Sequence, residues 1–95
     1  MMPPVLPKPA GIPDNWIERP TRTGDGMEYV NPSNPNDRVR VMPGNPNGRY
    51  LNQRRPYVID QSGWFRDVNG NPILGPAPGR TPEAHIPYER FRFRR

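Results

Sequence analysis

The sequence predicts a mainly β or α+β fold: a small twisted antiparallel sheet of about four to five short strands, with long loops rich in Pro, Gly and Asn and at most about one or two short helices. Two observations carry this prediction. The 16 Pro and 9 Gly residues fall mostly between short apolar runs, where they mark turns. The run RVRVM alternates with the period of a strand, which places Val39 and Val41 inside and Arg38 and Arg40 outside.

The segments around this strand follow the same logic. Residues 27–30 form a strand candidate that begins after the turn sequence at 24–26. The Asn- and Pro-rich run 31–37 predicts consecutive Asx and type I turns, because Asn side chains bond their own backbone and Pro presets the turn dihedral. Residues 43–56 contain too many Pro and Gly residues to continue a strand, so a long loop is predicted there.

Residues 57–74 predict a meander of three short strands. The first begins at Tyr57, and Ser62-Gly63 joins it to the second. Asn69-Gly70 is the dipeptide typical of a type I′ turn, and it joins the second strand to residues 72–74.

The end of the chain predicts one short turn of helix and a closing strand. Thr81 fits an N-cap followed by proline, and a later proline limits the helix to about one turn, so His85 lies on a short turn. Residues 88–93 predict a strand with Phe91 and Phe93 on one face. The apolar side chains expected to form the core are Trp16, Tyr29, Val39, Val41, Tyr57, Ile59, Trp64, Phe65, Phe91 and Phe93.

Two parts of the chain are predicted. Residues 1–13 alternate Pro with small or apolar residues, which is typical of a semi-rigid linker, and residues 14–95 form a single basic domain. The chain has no Cys, so disulfides and thiolate metal sites are excluded. No apolar run is long enough for a membrane span or a signal peptide, so the chain is not expected to direct its own export. The linker-like start predicts a terminal module of a longer polypeptide, and if the domain acts in another cell, something else must carry it there.

The basic residues predict a surface that binds a polyanion. The net charge is +5, and Lys8 is the only lysine among the 14 basic residues. The planar guanidinium of arginine binds phosphate through two hydrogen bonds and stacks on bases. The sequence predicts no amphipathic basic helix of the kind that binds a lipid surface, so nucleic acid is the expected ligand. The alternative is a solvated surface that only confers solubility. The clusters are Arg38 and Arg40, Arg54 and Arg55, and Arg90, Arg92, Arg94 and Arg95.

Four sequence motifs between residues 16 and 93 resemble those of a known family. They are RTGDG ahead of Tyr29, NPSNPNDRVRVMPGNPN, QRRPYV, and PEAHIPYERFRF near the end. Together they are similar to the C-terminal toxin domains of polymorphic bacterial toxins. Those domains end Rhs-repeat and filamentous-haemagglutinin proteins used in contact-dependent competition. The sequence departs from the helix-on-sheet layout of that group, because residues 1–15 predict no N-terminal helix.

The resemblance implies a metal-independent ribonuclease of the colicin type, secreted as part of a larger protein and acting in the cytoplasm of a target bacterium. It also implies a dedicated immunity protein, which we expect to be acidic. Cleavage would proceed by attack of the ribose 2′-OH to leave a 2′,3′-cyclic phosphate, with tRNA favoured over rRNA as the substrate.

Such a reaction requires a base for the 2′-OH, an acid for the leaving 5′ oxygen, and cations for the charge on phosphorus. His85 is the only histidine, so an imidazole acid or base must be this residue. Its partner is a carboxylate or a tyrosine; Glu28 and Asp60 are the preferred carboxylates, and Glu83 is less suited because it lies only two residues from the histidine. The alternative for His85 is a hydrogen-bonded loop residue.

Arg40 completes the predicted catalytic set, because it extends from the same strand face as Arg38. The alternative for this pair is an ordinary charged strand face. The other contacts to RNA phosphate are assigned to Arg22, Arg38, Arg54, Arg55 and Arg92.

No metal or cofactor is expected. One histidine and scattered carboxylates lack the spacing that binds Ca²⁺ or Zn²⁺, and the glycine patterns of nucleotide-binding loops are absent. Two alternatives to the ribonuclease stay open. One is a non-enzymatic Arg- and Pro-rich module that binds nucleic acid or acts in assembly, and the other is a toxin with another target, such as a DNase.

Overall fold

The computed structural model describes residues 6–95 and contains one antiparallel sheet. The strand order is β1-β2-β3-β4-β5, and β6 pairs with the same edge of β4 as β5 does. The strands are β1 (Ile17–Pro20), β2 (Met27–Asn31), β3 (Asn34–Met42), β4 (Tyr57–Ser62), β5 (Phe65–Arg66) and β6 (Ile86–Pro87). The predicted mainly β antiparallel sheet is confirmed.

Helical structure in the described residues is limited to short 3₁₀ turns. Each spans three residues, because Pro and Gly interrupt any longer helical run. The turns are Leu51–Gln53, Pro78–Arg80, Pro82–Ala84 and Tyr88–Arg90. The third of them is the single turn predicted before His85.

The two faces of the sheet differ in character, as the alternation in β3 predicts. Val39 and Val41 are 0% and 3% exposed and pack with Tyr29 and Val58 on one side, the core face. The alternate residues, among them Arg38 and Arg40, lie on the other side, the open face.

The core face is covered by the two ends of the described chain. Trp16 and Phe91 are buried against it, and Phe93 meets the Trp16 ring edge-on at 5.3 Å between centroids. Ile12 also lies in this core at 4% exposure. Residues 1–5 of the predicted linker lie outside the described residues. The division of the chain into a linker, residues 1–13, and a domain, residues 14–95, stays a prediction.

Part of the open face is covered as well. Ile59, Ile73 and Ala84 form a second buried cluster on the β4 side, with Phe65 packed against it. Gly79 is required there, because a Cβ atom would lie 2.8 Å from the Phe65 ring. The segment that contains these residues therefore forms a wall beside β4, and Arg40 on β3 stays exposed.

Two predicted turns differ from the structure. The run 31–37 is not all loop, because β3 begins at Asn34, although Asn31 Oδ1 accepts the predicted Asx-turn hydrogen bond from Ser33 N at 2.9 Å. The turn at Asn69-Gly70 is not type I′, since only Gly70 has a positive φ. Asp67 Oδ1 accepts hydrogen bonds from the backbone amides of Asn69 and Asn71 in this loop. The predicted third strand is reduced to one bridge, between Arg66 and Pro72.

The predicted closing strand at 88–93 is wrong. Residues 88–90 form a 3₁₀ turn and the rest is irregular, because Phe91 and Phe93 insert into the core around Trp16 instead of pairing with an edge. The last strand of the sheet is β6, which lies just before this segment in the sequence. Trp64, predicted in the core, is 47% exposed and donates its indole N–H to Ile73 O at 2.7 Å.

Candidate nucleic-acid interface

A groove of about 320 Å³ lies on the open face. It runs across β2, β3 and β4, and one wall is Phe65 from the covered side. Its lining is Arg22, Glu28, Arg38, Arg40, Ile59, Gln61 and Phe65. The groove thus collects three predicted phosphate-binding arginines and one predicted catalytic carboxylate.

The register of the sheet fixes these neighbours. Glu28 on β2 and Ile59 on β4 are both paired with Arg40, so the three side chains form one row across the face. In the next row, Arg38 donates from Nε to Gln61 Oε1 at 3.2 Å. Arg38 also reaches diagonally to Glu28, with Nη1 at 3.2 Å from the carboxylate.

Glu28 is held by two cations. Besides Arg38, the guanidinium of Arg19 lies 3.5 Å from the same carboxylate oxygen. The Glu28 side chain is only 14% exposed. The two guanidinium groups hold this carboxylate in place in the groove through charge-assisted contacts.

Arg40 and Arg22 differ from Arg38 in having no carboxylate within ion-pair range among residues 6–95. Both are exposed at the groove. A guanidinium without an internal acceptor keeps its donors for an external anion, and its planar fork matches phosphate. Arg40 and Arg22 are therefore the two arginines of the groove that are best placed to bind an anion.

His85 lies beside the open face, where its ring packs on Tyr57 with 4.8 Å between centroids. Nδ1 is 2.8 Å from Thr81 O, so it carries the proton and donates to that carbonyl. Nε2 is then the nitrogen with the lone pair, and it lies 3.1 Å from Gln53 Nε2, which donates to it. The hydrogen bond to Thr81 O thus orients the ring, and the Gln53 side chain covers Nε2.

The neutral form of His85 is favoured in this site. Burial lowers the pKa of the imidazole below its usual value, the hydrogen bond to Thr81 acts in the opposite direction, and the charge of Arg40 lowers the pKa further. His85 is not among the side chains that line the groove. It reaches the open face through its contact with Tyr57, which is paired with Met42, two residues along β3 from Arg40.

Asp60, the second predicted catalytic carboxylate, does not lie in the groove with Glu28 and Arg40. It pairs with Val39 in the sheet, which puts it on the core face, and there Arg95 Nη2 lies 2.8 Å from its carboxylate. The same guanidinium is 2.7 Å from Asp37. Burial raises the pKa of Asp60, and the charge of Arg95 only partly opposes this effect. The arrangement joins the end of the chain to the sheet.

The other candidate residues are also dispersed. Arg54 donates from Nε to Gly48 O at 2.9 Å, and Arg55 is exposed in the same loop. Arg92 donates to the carbonyls of Glu89 and Phe91, outside the groove. Glu83 is exposed on the 3₁₀ turn before His85.

The site also contains residues that the sequence did not indicate. Gln61 binds Arg38, and Gln53 covers His85. Gln61 could have been found from the sequence, because Ile59 and Gln61 are alternate residues of one strand and therefore lie on the same face of the sheet. Gln53 gives no such signal, because it lies 32 residues from the histidine that it contacts.

The fold and the groove define a small basic β-sheet domain with one arginine-lined face. Among residues 6–95, no group of three His, Cys, Asp or Glu side chains is arranged to hold a metal ion, and no helix in that range is long and apolar enough to cross a membrane. No family model matches the chain, and no curated protein or solved structure matches it.

Proposed function

We propose that this chain is a metal-independent endoribonuclease that binds the RNA backbone in the groove of the open face. One observation carries the proposal: Arg40, which has no carboxylate within ion-pair range among residues 6–95, is paired with Glu28 in the sheet and lines one groove with it. A phosphate at Arg40 would lie beside the proton acceptor Glu28, and the imidazole of His85 lies beside the same face of the sheet, against Tyr57. This is the set of groups that RNA cleavage through the 2′-OH requires.

In the proposed reaction, Glu28 takes the proton from the ribose 2′-OH. The 2′ oxygen then forms its bond to phosphorus while the bond from phosphorus to the 5′ oxygen breaks, which leaves a 2′,3′-cyclic phosphate. Arg40, supported by Arg22 and Arg38, stabilises the negative charge that grows on the phosphate oxygens.

His85 gives a proton to the departing 5′ oxygen from Nε2. This step requires protonation of the imidazole, and the negative charge of a bound phosphate raises the pKa of a nearby histidine. Gln53 must also change, because its amide donates to Nε2 in the neutral state. Rotation of that amide presents Oε1, which accepts from a protonated Nε2, so the contact fits both states.

The likeness of VRVMPGNPN and PEAHIP to bacterial toxin domains supports a wider proposal. In that proposal the domain is delivered into a competing bacterium as part of a larger protein and cleaves RNA, with tRNA favoured over rRNA. An acidic immunity protein would cover the open face, because opposite charge speeds association and fixes the register of a complex.

The direct test is incubation of the full chain with total RNA in EDTA. We expect discrete fragments ending in 2′,3′-cyclic phosphate, since no step uses a metal. RNA methylated at the 2′ oxygen is the matched control and should stay intact, because the attacking group is blocked. Cleavage of this methylated RNA or of DNA would contradict the proposed reaction.

The non-enzymatic alternative is favoured by the engagement of both ring nitrogens of His85. In that case the arginine-lined face binds nucleic acid and no bond is broken. Binding of RNA without any cleavage in the same assay would support this alternative and contradict the proposal that the chain is a ribonuclease.

Replacing Arg40 by Ala is expected to lower kcat/KM for RNA by about 10²–10³-fold, as for loss of one charge-stabilising donor. Arg40→Lys should recover only part of the activity, because an ammonium lacks the planar fork. Arg90→Ala is the matched control, since Arg90 is exposed on the turn Tyr88–Arg90, outside the groove. Equal losses in the Arg40 and Arg90 variants would mean that only net charge matters.

A further inference from the structure

A second pocket, of about 440 Å³, lies where β3 ends and β4 begins. Met42 and Tyr57, which are paired in the sheet, contribute to its lining together with Asp25, Asn45 and Gln53. Its size lies within the usual range for small-molecule sites, about 300–1,000 Å³. We call it the Tyr57 pocket.

Two glycines bring its loops together. Gly26 lies so close to β3 that a Cβ atom would clash with the backbone carbonyl oxygen of Val41, and this places the adjacent Asp25 at the end of the strand. Gly44 has a φ of +86°, and a Cβ atom there would lie 2.5 Å from the backbone of Arg55. Only glycine permits these approaches, so the pocket is a consequence of the backbone path.

The Tyr57 pocket continues the groove. Arg40 and Met42 are alternate residues of β3 on the same face, about 7 Å apart along the strand. Tyr57 is paired with Met42 and lines the pocket together with Asp25, and burial raises the pKa of its hydroxyl. One nucleotide can span this distance, with its phosphate at Arg40 and its base beside Tyr57.

The polar groups of the pocket complement one base. Asp25 has no cation within ion-pair range among residues 6–95, so its carboxylate is a free acceptor there. Asn45 accepts from the amide of Asn47 through Oδ1, which leaves its NH₂ group as a donor. Guanine presents two adjacent donors, N1–H and N2–H, beside the acceptor O6. Adenine, cytosine and uracil do not offer this combination.

The nonpolar lining fits a flat ring. Tyr57 is half-buried and supplies an aromatic face, and Met42 supplies a polarisable sulfur beside it. Unstacked RNA bases bind to proteins by stacking on such rings while their edges are hydrogen-bonded. Gln53 lines the same pocket and covers Nε2 of His85, so a base that displaces Gln53 would also uncover the imidazole.

We propose that the Tyr57 pocket binds a guanine base of the RNA, with Asp25 accepting from N1–H and N2–H, Asn45 donating to O6, and Tyr57 stacking on the ring. The proposal rests on the proposed function, since it names the nucleotide beside the cleaved phosphate. It predicts cleavage next to guanosine, made possible when the base moves Gln53 away from His85.

The test is binding of the four nucleoside 3′-monophosphates to the full chain, followed by NMR of backbone amides. We expect guanosine 3′-monophosphate to bind at least about 10-fold more tightly than the other three, with the largest shifts at residues 25, 45 and 57. Equal affinity for all four, or shifts confined to other parts of the chain, would overturn the proposal.

Two variants sharpen the test. Asp25→Asn replaces one acceptor by a donor and should reduce the preference for guanosine to less than about 3-fold, because a bidentate pair supplies most of such discrimination. Asp14→Asn is the matched control, since it removes the same charge from an exposed carboxylate that forms an ion pair with Lys8, outside the pocket. Retained preference in Asp25→Asn, or an equal loss in Asp14→Asn, would contradict the assignment.

The outcomes separate this proposal from the proposed function. A chain that cleaves RNA but binds the four nucleotides equally is a ribonuclease without this base site. A chain that prefers guanosine 3′-monophosphate but leaves RNA intact has the base site and is not a ribonuclease.

Discussion

Replacing Glu28 by Gln is expected to lower the rate of RNA cleavage by about 10²–10⁴-fold, the usual contribution of a positioned general base. Gln has the same shape and can still accept a hydrogen bond from Arg38, so the groove should keep its geometry. The substitution removes the ability to take a proton from the 2′-OH, together with the charge that pairs with Arg19 and Arg38. We therefore expect kcat to fall while the affinity for RNA stays the same or rises, because a negative charge leaves the site. Single-turnover cleavage and a filter-binding assay measure the two quantities.

Glu18→Gln is the control for this variant. Glu18 is also on a strand, but it is exposed on β1 and pairs with Tyr29 and not with the row of Arg40. The two variants carry the same change in net charge. Activity within a few-fold of the starting protein in Glu28→Gln would remove Glu28 from the reaction, and an equal decrease in both variants would assign the effect to charge.

Replacing His85 by Gln is expected to lower cleavage by a similar factor, about 10²–10⁴-fold, through loss of the proton donor for the 5′ oxygen. Gln can still donate to Thr81 O, which His85 does through Nδ1 at 2.8 Å. The pH–rate profile should lose the limb that belongs to the imidazole. RNA with a good leaving group at the 5′ oxygen should be cleaved almost equally by both proteins, because that substrate does not need the acid.

The folding stability of this variant gives an independent readout. Burial lowers the pKa of His85, so the folded chain binds its proton less tightly than the unfolded chain does. This group therefore reduces the free energy of unfolding as the pH falls below its ordinary pKa of 6.5. His85→Gln should lose that part of the pH dependence, measured by urea unfolding. Unchanged cleavage with loss of this pH dependence would make His85 a structural histidine.

The contrast between Arg40 and Asp60 shows how far sequence patterns reach. Alternation in RVRVM predicts correctly that Arg40 is exposed and Val39 buried, because side chains of one strand alternate by local geometry. The same rule says that Asp60 lies opposite to Ile59, but it does not say which of them faces the core. Both are buried in the structure, since loops cover parts of both faces.

The C-terminal residues show a different limit. Phe91 and Phe93 alternate with arginines and predict a strand, yet they fill space around Trp16. The energy of burying aromatic side chains outweighs the weak preference of a short segment for pairing at a sheet edge. Arg95 is then fixed by two carboxylates, and the basic end of the chain is partly structural.

The sequence by itself determined the antiparallel sheet, the inward and outward residues of β3 and the short turn before His85, because these depend on the spacing of neighbours along the chain. Only the tertiary structure placed Glu28 beside Arg40, His85 over Tyr57 and Asp60 on the opposite face. Those placements depend on strand register and loop packing, which are set by contacts between residues far apart in the chain.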